Sequence, residues 1–346
     1  MSLTRTAYVS RQTIKFGGIF VIGFSLLWSL SAAGIKAYRA KYPPYQAPTI
    51  RYGIIPKAKF PEKTFEKKQF TFEFANDKVP KFEDQAKVFV VYKPNSSFLA
   101  LDYYSKIANN LGFTADPVEV QTGVFEFNNN NLNQKLTINV LDGSFRMKYP
   151  YESDQLLFYP ENMPGKEAAI MMADSYLDRA NKLSQDLENG QKEVSYWKID
   201  GGVLVEAQAQ SDAHFARVDY FREKLDENTT IVTSEPGMAP ISILVSGSQV
   251  EGKKVVEVSF QYANIERSSW STYPIKTSEE AVEELKQGNY WPAADVEAGQ
   301  VTIRRLYLAY YEPFGLTNYM QPVFVFEGDG EFVAYVPAVT ASYSKD

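Results

Sequence analysis

Between Lys15 and Lys36 lie twenty residues without a charge, Phe16 to Ile35. Coiled into a helix at about 1.5 Å per residue, they span about 30 Å, the hydrocarbon thickness of a bilayer. A chain with this feature folds in two parts: an apolar helix, and whatever the other residues build on one side of it. A cleaved signal peptide is the competing reading, because Ser29-Leu30-Ser31 and Ser31-Ala32-Ala33 both fit an A-x-A-like site. The apolar core of a signal peptide runs about 7–15 residues, so the length here favours a permanent anchor. The chain has no cysteine, which excludes lipid attachment through a thiol. A pilin-type start needs a Glu five residues after its Gly, and the fifth residue after Gly18 is Gly23.

The flanking charges nearly tie. Arg5, Arg11 and Lys15 precede the span, and Lys36, Arg39, Lys41 and Arg51 follow it, so the positive-inside rule does not orient the chain. Other features place the N-terminus inside and the large domain outside the cytoplasm. There are 23 Tyr and 23 Phe, a mostly β pattern, and no cysteine that needs a reducing compartment. Charge divides the chain: residues 1–68 hold twelve Lys/Arg and two acids, a net of +10, and with the whole chain at −6 the rest carries −16. The basic part reads as a solvated tether, or as a patch on anionic headgroups at about 1 kcal/mol per basic residue. The acidic remainder lacks the cationic face that nucleic-acid binding requires, so no nucleic-acid partner is expected.

The patterning sets out five segments: a basic tail over 1–15, the span over 16–35, a stalk over 36–68, a first α+β module over 69–155, and a region with two further modules over 156–346. The stalk rests on Pro43, Pro44, Pro48, Pro56 and Pro61, which disfavour helix. In the first module Gln69–Phe74 alternates as a half-buried strand, and Val88–Tyr92 reads as a buried one. Ser96 or Ser97 then caps a helix bearing Phe98, Leu101, Ala108 and Leu111, stopped by Gly112. Strands at 124–127, 136–141 and 145–149 follow, with Asp142-Gly143 as a hairpin turn. The second module opens at Pro160. Its helix carries Ala169, Met172, Tyr176, Ala180, Leu183 and Leu187 up to Gly190. Strands at 193–199, 203–208, 216–222, 241–245 and 254–262 come next. Thr277 and Glu280 fit a capping box that opens the third helix, and strands at 302–311, 322–326 and 332–336 close the chain. A helix followed by an antiparallel meander thus recurs. The expected fold class is α+β: a single N-terminal transmembrane helix plus an ectodomain of two or three helix-on-antiparallel-sheet modules.

No catalytic or metal motif stands out. His214 is the one histidine, so a Ser-His nucleophile pair depends wholly on it, and a transition-metal cluster has too few His and Cys to draw on. Ser195-Tyr-Trp-Lys198, Ser211-Asp212-Ala213 and Lys276-Thr277-Ser278 are in the order of a penicillin-binding triplet, but Ser195 lies in a strand pattern where that chemistry needs a helix start. Glu279, Glu280, Glu283 and Glu284 read as solvated charge on a helix. No catalytic residue, cofactor site or metal site is assigned, and the chain is not expected to be an enzyme. Trp270, Tyr273, Tyr290 and Trp291 cluster around the third helix, and exposed aromatics of this kind anchor protein partners; filling the core is the plainer role for the same residues. Asn95-Ser-Ser97 and Asn228-Thr-Thr230 are sequons that matter only in a glycosylating host.

The run Tyr273-Pro-Ile-Lys-Thr-Ser-Glu-Glu-Ala-Val-Glu-Glu-Leu-Lys-Gln-Gly288 leads into Leu306–Tyr311, then Gln321–Gly328 and Tyr335-Val-Pro-Ala338. Over about residues 160–340 this resembles the extracytoplasmic modules of YycH/YycI-type proteins and, more loosely, PepSY domains. In both, a short helix packs on an antiparallel sheet. Ala216–Phe221 and Pro240–Val245 resemble the preceding strands. The resemblance implies a single-span accessory protein that binds or regulates another envelope protein, such as a sensor kinase. A protease-restraining module of PepSY type, and a cell-envelope enzyme working through carboxylates, are the alternatives. The bilayer itself is the other expected partner, through Phe16–Ile35.

Overall fold

The computed structural model describes residues 3–41, 45–75, 78–92, 99–159, 162–226, 229–262, 264–312, 315 and 317–345. The chain divides into two compact units, residues 1–48 and 49–346. The first holds a single helix, α1 (Leu3–Lys41). Within it, Tyr8–Arg39 reaches a mean hydropathy of 1.9 and is long and apolar enough to cross a membrane. Its uncharged stretch, Phe16–Ile35, is apolar all round, and large side chains such as Phe20, Leu27, Trp28 and Leu30 are exposed. A helix of that kind suits a lipid surround rather than water. Helical structure thus runs beyond both ends of the uncharged stretch.

The second unit is mixed α+β and rich in sheet. The chain first forms β1 (Ile55–Pro56), β2 (Gln69–Phe72) and β3 (Gln85–Val91). Then come α2 (Ala100–Asn110) and a meander of β4 (Val118–Gln121), β5 (Val124–Asn129), β6 (Gln134–Asn139) and β7 (Phe145–Lys148). After α3 (Lys166–Arg179) and the one-turn α4 (Gln185–Glu188) follow β8 (Lys192–Asp200), β9 (Val203–Glu206) and β10 (Phe215–Tyr220). An excursion carries β11 (Thr230–Val232) before β12 (Ile241–Ser246) and β13 (Val255–Phe260). The last part is β14 (Ile265–Pro274), α5 (Ser278–Gln287), β15 (Trp291–Ala294), β16 (Gln300–Tyr311), β17 (Tyr319–Gly328), β18 (Val333–Pro337) and β19 (Ser344–Lys345).

Two main sheets result. The first has nine strands in the order β4-β5-β6-β7-β13-β12-β10-β8-β9. It joins two meanders edge to edge: β7 pairs antiparallel with β13, Met147 opposite Val258. Helices α2 and α3 share its core, with Ile107, Phe127, Ile138, Tyr176, Leu177, Val218 and Ile243 among the buried residues. The second has eight strands on the path β11-β16-β17-β18-β15, with β2 on β16 and β3 on both β14 and β17. Helix α5 covers it through Ala281 and Leu285, against Ile303, Phe324 and Phe326.

Local chemistry explains several boundaries. In α5, Thr277 Oγ1 accepts from the Glu280 N–H at 3.2 Å, and Glu280 Oε2 accepts from the Thr277 N–H at 2.7 Å, the expected capping box. Gly288 ends the helix at φ 82°, a left-handed geometry that costs glycine no steric clash. The α3 periodicity runs on to Leu187, but the helix stops at Arg179 because Asn181 turns to φ 53° and the chain re-enters a helix only at Gln185. The Ser96 or Ser97 cap, Phe98, Pro43, Pro44, Pro160 and the sequon residues Asn95 and Asn228 lie outside the described residues.

The largest difference from expectation concerns residues 49–68, which were expected to form a stalk. From Thr49 onward they are part of the fold. The Ile50 N–H donates to Thr272 O at 3.1 Å, and the Arg51 N–H to Ser271 Oγ at 2.8 Å. Strand β1 pairs in parallel with β19, Ile55 beside Ser344, and Ile55 is buried. Phe60 stacks on Trp291 at 5.2 Å. Lys67 Nζ donates to Gln287 O, at the C-terminal end of α5, where a cation offsets the helix dipole. Proline removes N–H donors without preventing an extended segment from packing through its aromatic and basic side chains. The first module is also not self-contained: β2 and β3 belong to the second sheet, whereas α2 and β4–β7 belong to the first. A test is Phe60→Ala, which removes a half-buried ring and is expected to cost about 2 kcal/mol in denaturant unfolding; a free stalk would show no change.

Candidate functional site

The four aromatics expected at a partner face lie in different places. Tyr273 is fully buried and its hydroxyl accepts from the Tyr52 N–H at 3.1 Å. Tyr290 is buried between Phe65 and Phe70 at 5.0 and 5.4 Å. Trp291 is buried beneath Phe60, and its Nε1–H donates to Pro61 O at 2.8 Å. Trp270 alone is exposed, with Lys87 Nζ 4.9 Å from its ring. They do not form one surface, because residues 49–70 supply the rings and carbonyls that cover three of them.

Residues of the catalytic patterns in the sequence make structural contacts here. His214 Nδ1 accepts from the Ile199 N–H at 3.0 Å, and its ring stacks on Phe158 at 4.8 Å. Burial and the nearby Lys198 hold this imidazole below its usual range. Ser195 Oγ accepts from Trp197 Nε1–H at 2.8 Å, and Thr277 is spent on capping α5. Among the described residues, no group of three or more His, Asp or Glu side chains is placed to hold a metal.

The structure assembles two features that the sequence did not reveal. One is a buried charge seam between the two sheets. Arg222, just after β10, donates through Nε to Glu312 Oε2 at 2.9 Å and through Nη2 to Glu312 Oε1 at 2.5 Å. Glu312 follows β16, and both side chains are about 1% exposed. Arg222 Nη1 also reaches Asp186 Oδ2 at 3.2 Å, and the guanidinium lies 4.2 Å from the Tyr262 ring centroid. Burial alone would lower the Arg222 pKa, but Glu312, Tyr262 and Asp186 outweigh it and raise it. Beside this seam, Asp226 joins Lys87 Nζ at 2.6 Å and Tyr310 Oη at 2.8 Å.

The other feature is an interrupted sheet edge. One edge of β16 is filled by β17 from Ile303 to Tyr311. On the opposite edge β2 pairs in parallel with residues 300–303, and β11 pairs in parallel with residues 309–311. Between them, residues 304–308 pair with no strand on that side among the described residues. A groove of about 530 Å³ opens there, walled by Phe74, Ala75 and Pro80 on one side and Thr230 on the other. Its floor is Arg304–Leu308 with Glu327. The charges around it are matched. Arg304 donates to Asp329 at 2.8 and 3.0 Å and pairs with Glu73. Arg305 pairs with Glu327, which also accepts from Tyr307 Oη at 2.6 Å. The hydrogen bond from Arg304 holds the exposed Asp329 carboxyl below its usual range. Sequence offered one hint to this place: Arg304-Arg305 interrupts an otherwise β-forming, aromatic-rich run.

The fold thus defines a chain with one membrane-length helix and a two-sheet α+β unit in which helices pack on antiparallel strands. No protein-family profile matches the chain, and no curated protein matches it in sequence. Among solved structures, that of an uncharacterized protein from Eubacterium rectale ATCC 33656 is similar over 75% of this chain and 84% of its own, at 14% identity and a TM-score of 0.39. The Bacillus megaterium YpeB C-terminal domain is similar over 72% of this chain and 95% of its own, at 12% identity and a TM-score of 0.27. At these scores neither likeness carries an argument about activity or partners.

Two stability measurements test the charged groups. Arg222→Met leaves Glu312 buried without its partner and is expected to cost about 3–5 kcal/mol in urea unfolding. Adding Glu312→Leu should recover much of that loss, which a double-mutant cycle measures. Lys182 sits over Tyr104 and Phe260 at 5.2 and 5.7 Å, and burial pushes its ammonium down from 10.5 to about 8. The unfolded chain therefore holds this proton more tightly, so stability should rise with pH from about 8 to 10.5. The rise is at most about 3 kcal/mol and smaller to the extent that water screens the group. Lys182→Met should flatten that slope.

Proposed function

We propose that this chain is a non-catalytic, membrane-anchored binding protein, with its N-terminus inside and its α+β unit on the extracytoplasmic face. There it binds or regulates another envelope protein, such as a sensor kinase, by accepting an extended segment of that partner along β16. The observation that carries this reading is the gap at residues 304–308 between β2 and β11. Five residues of strand span about 17 Å, so the gap takes a short extended peptide end to end with the two strands already there. Main-chain hydrogen bonds to β16 supply the affinity in such strand addition, and side pockets supply the specificity. Here Phe74, Pro80, Leu306 and Leu308 offer the apolar pockets. Arg304 and Arg305 are already matched by Glu73, Asp329 and Glu327, so net charge is not what recruits the peptide. An open edge is also an aggregation liability unless something covers it. The YycH/YycI-like pattern of residues 160–340 and the apolar Tyr8–Arg39 helix support the same reading.

The test places a photoreactive residue at Leu308 of the full-length protein in its native membrane, with the exposed Leu156 as the control position. A discrete adduct from Leu308 alone is expected. The cross-linked stretch, made as a synthetic peptide, should then protect the amides of 304–308 from hydrogen exchange. Adducts equal at both positions, or a bound peptide that leaves those amides unprotected, would sink strand addition.

A further inference from the structure

Helix α3 ends on a turn that fixes one lysine against the apolar core. Asn181 sits at φ 53°, its N–H donates to Asp178 O, and the Lys182 N–H donates to Leu177 O, both at 2.8 Å. This is a Schellman ending, in which the second residue past the cap folds back on the last turn and is commonly apolar. Here that residue is Lys182, and its backbone partner Leu177 is fully buried. The side chain runs over the core of the first sheet. Its Nζ lies 5.2 Å from the Tyr104 ring centroid in α2 and 5.7 Å from that of Phe260 in β13. Both rings are braced: Tyr104 meets Tyr103 edge-on at 5.1 Å, and Phe260 stacks on Phe145 at 4.8 Å.

This setting makes the nitrogen a nucleophile. Lys182 is half-buried, and its Nζ keeps a solvent-facing surface while making no hydrogen bond or ion pair among the described residues. Asp142, in the β6–β7 turn, attracts the ammonium, but its oxygens accept from Ser144 and Asn139 instead. Burial outweighs that attraction and holds the amine near 8. At neutral pH about a tenth of such an amine is unprotonated, against about one part in three thousand for an ordinary lysine. Lys253 shows the contrast: Asp154 accepts from its Nζ at 2.6 Å, and its ammonium is raised. A lysine desolvated among apolar groups is the kind that attacks carbonyl carbon.

We infer that Lys182 is a covalent attachment site for small, planar, uncharged aldehydes, which it captures as an imine. The neutral nitrogen adds to the carbonyl carbon, and the carbonyl oxygen takes one proton from the nitrogen. That hydroxyl then leaves with the second nitrogen proton as water, so a C=N bond replaces C=O and nothing is oxidised or reduced. The two ring faces favour a flat partner, and the Asp142 charge disfavours an anionic one. The site lies in the first sheet's half of the unit, so its failure leaves the strand-addition reading at β16 untouched, and the reverse holds too.

The experiment incubates the full-length protein in detergent micelles with benzaldehyde, reduces the imine with cyanoborohydride, and reads each lysine by peptide mass mapping. At about pH 7, Lys182 should be labelled at least about tenfold faster than Lys106 and Lys166, which are exposed on α2 and α3. The ratio should shrink as pH rises past about 8, where Lys182 is already mostly neutral. Lys182→Arg keeps a cation and should remove the fast adduct alone. 4-Carboxybenzaldehyde should label Lys182 severalfold more slowly than benzaldehyde, and Asp142→Asn should narrow that difference. Labelling of Lys182 no faster than that of Lys106 and Lys166, a ratio indifferent to pH, or a fast adduct that survives Lys182→Arg overturns the inference. Equal labelling by the two aldehydes overturns the assignment of an uncharged partner.

Discussion

The pairing of Arg222 with Glu312 holds the α+β unit in its arrangement. Both side chains are almost wholly removed from water, and each sits just past the end of a central strand, one from each sheet. A buried ion pair of this kind adds little net stability over a well-packed apolar contact, but parting its members leaves a bare charge in a low-dielectric interior. Parting the two sheets at this point would therefore leave a charge buried without its partner. The bidentate guanidinium fixes direction as well as distance, Asp186 and the Tyr262 hydroxyl accept from Nη1, and the Tyr262 ring lies 4.2 Å from the guanidinium. The neighbouring Asp226 repeats the device at a wetter place, linking the excursion after β10 to β3 and β16.

That seam matters to the candidate site because the excursion between β10 and β12 starts at Arg222 and carries β11 into the second sheet. Strand β11 forms one end of the interrupted edge, and β2, delivered from the opposite direction by residues 49–68, forms the other. The gap at 304–308 is thus bounded by two segments that arrive from distant parts of the chain. Its floor is rigid: Ile303, Leu306 and Ala309 of β16 are buried, and β17 pairs along the far side. A preformed edge of this kind spares an incoming strand much of the ordering cost that binding otherwise incurs.

The aromatic content takes its meaning from the same packing. Residues 58–74 place Phe60, Phe65 and Phe70 against Trp291, Tyr290 and Phe332, a contact set in which ring offset and burial both contribute. Lys63 and Lys68 of the same segment donate to the carbonyls of Pro292 and Val296. Charges that read as a tether in one dimension are hydrogen-bond donors to the C-terminal module in three.

Sequence periodicity and turn chemistry settled what depends on neighbours a few residues away. The uncharged run from Phe16, the cap and stop of α5 at Thr277 and Gly288, and the Asp142-Gly143 turn between β6 and β7 were all legible, as were the strands around 136–141, 216–222 and 302–311. So was the α+β class, because repeated helix-then-strand patterning reports which faces are apolar. What the sequence did not show was β14, whose run of polar residues breaks the apolar alternation of a strand, and the short β1, β11, β15 and β19, which acquire strand geometry only from a partner. Nor did it show that β2 and β3 join the C-terminal sheet, that Arg222 meets Glu312, or that residues 304–308 of β16 pair with no strand on one edge among the described residues. Those depend on pairings between segments such as Ile55 and Ser344, or Gln69 and Gln300. A period of two or 3.6 residues tells a strand which face to bury, but not which edge it will meet. Only the competition among all apolar faces and backbone donors in the folded unit decides that.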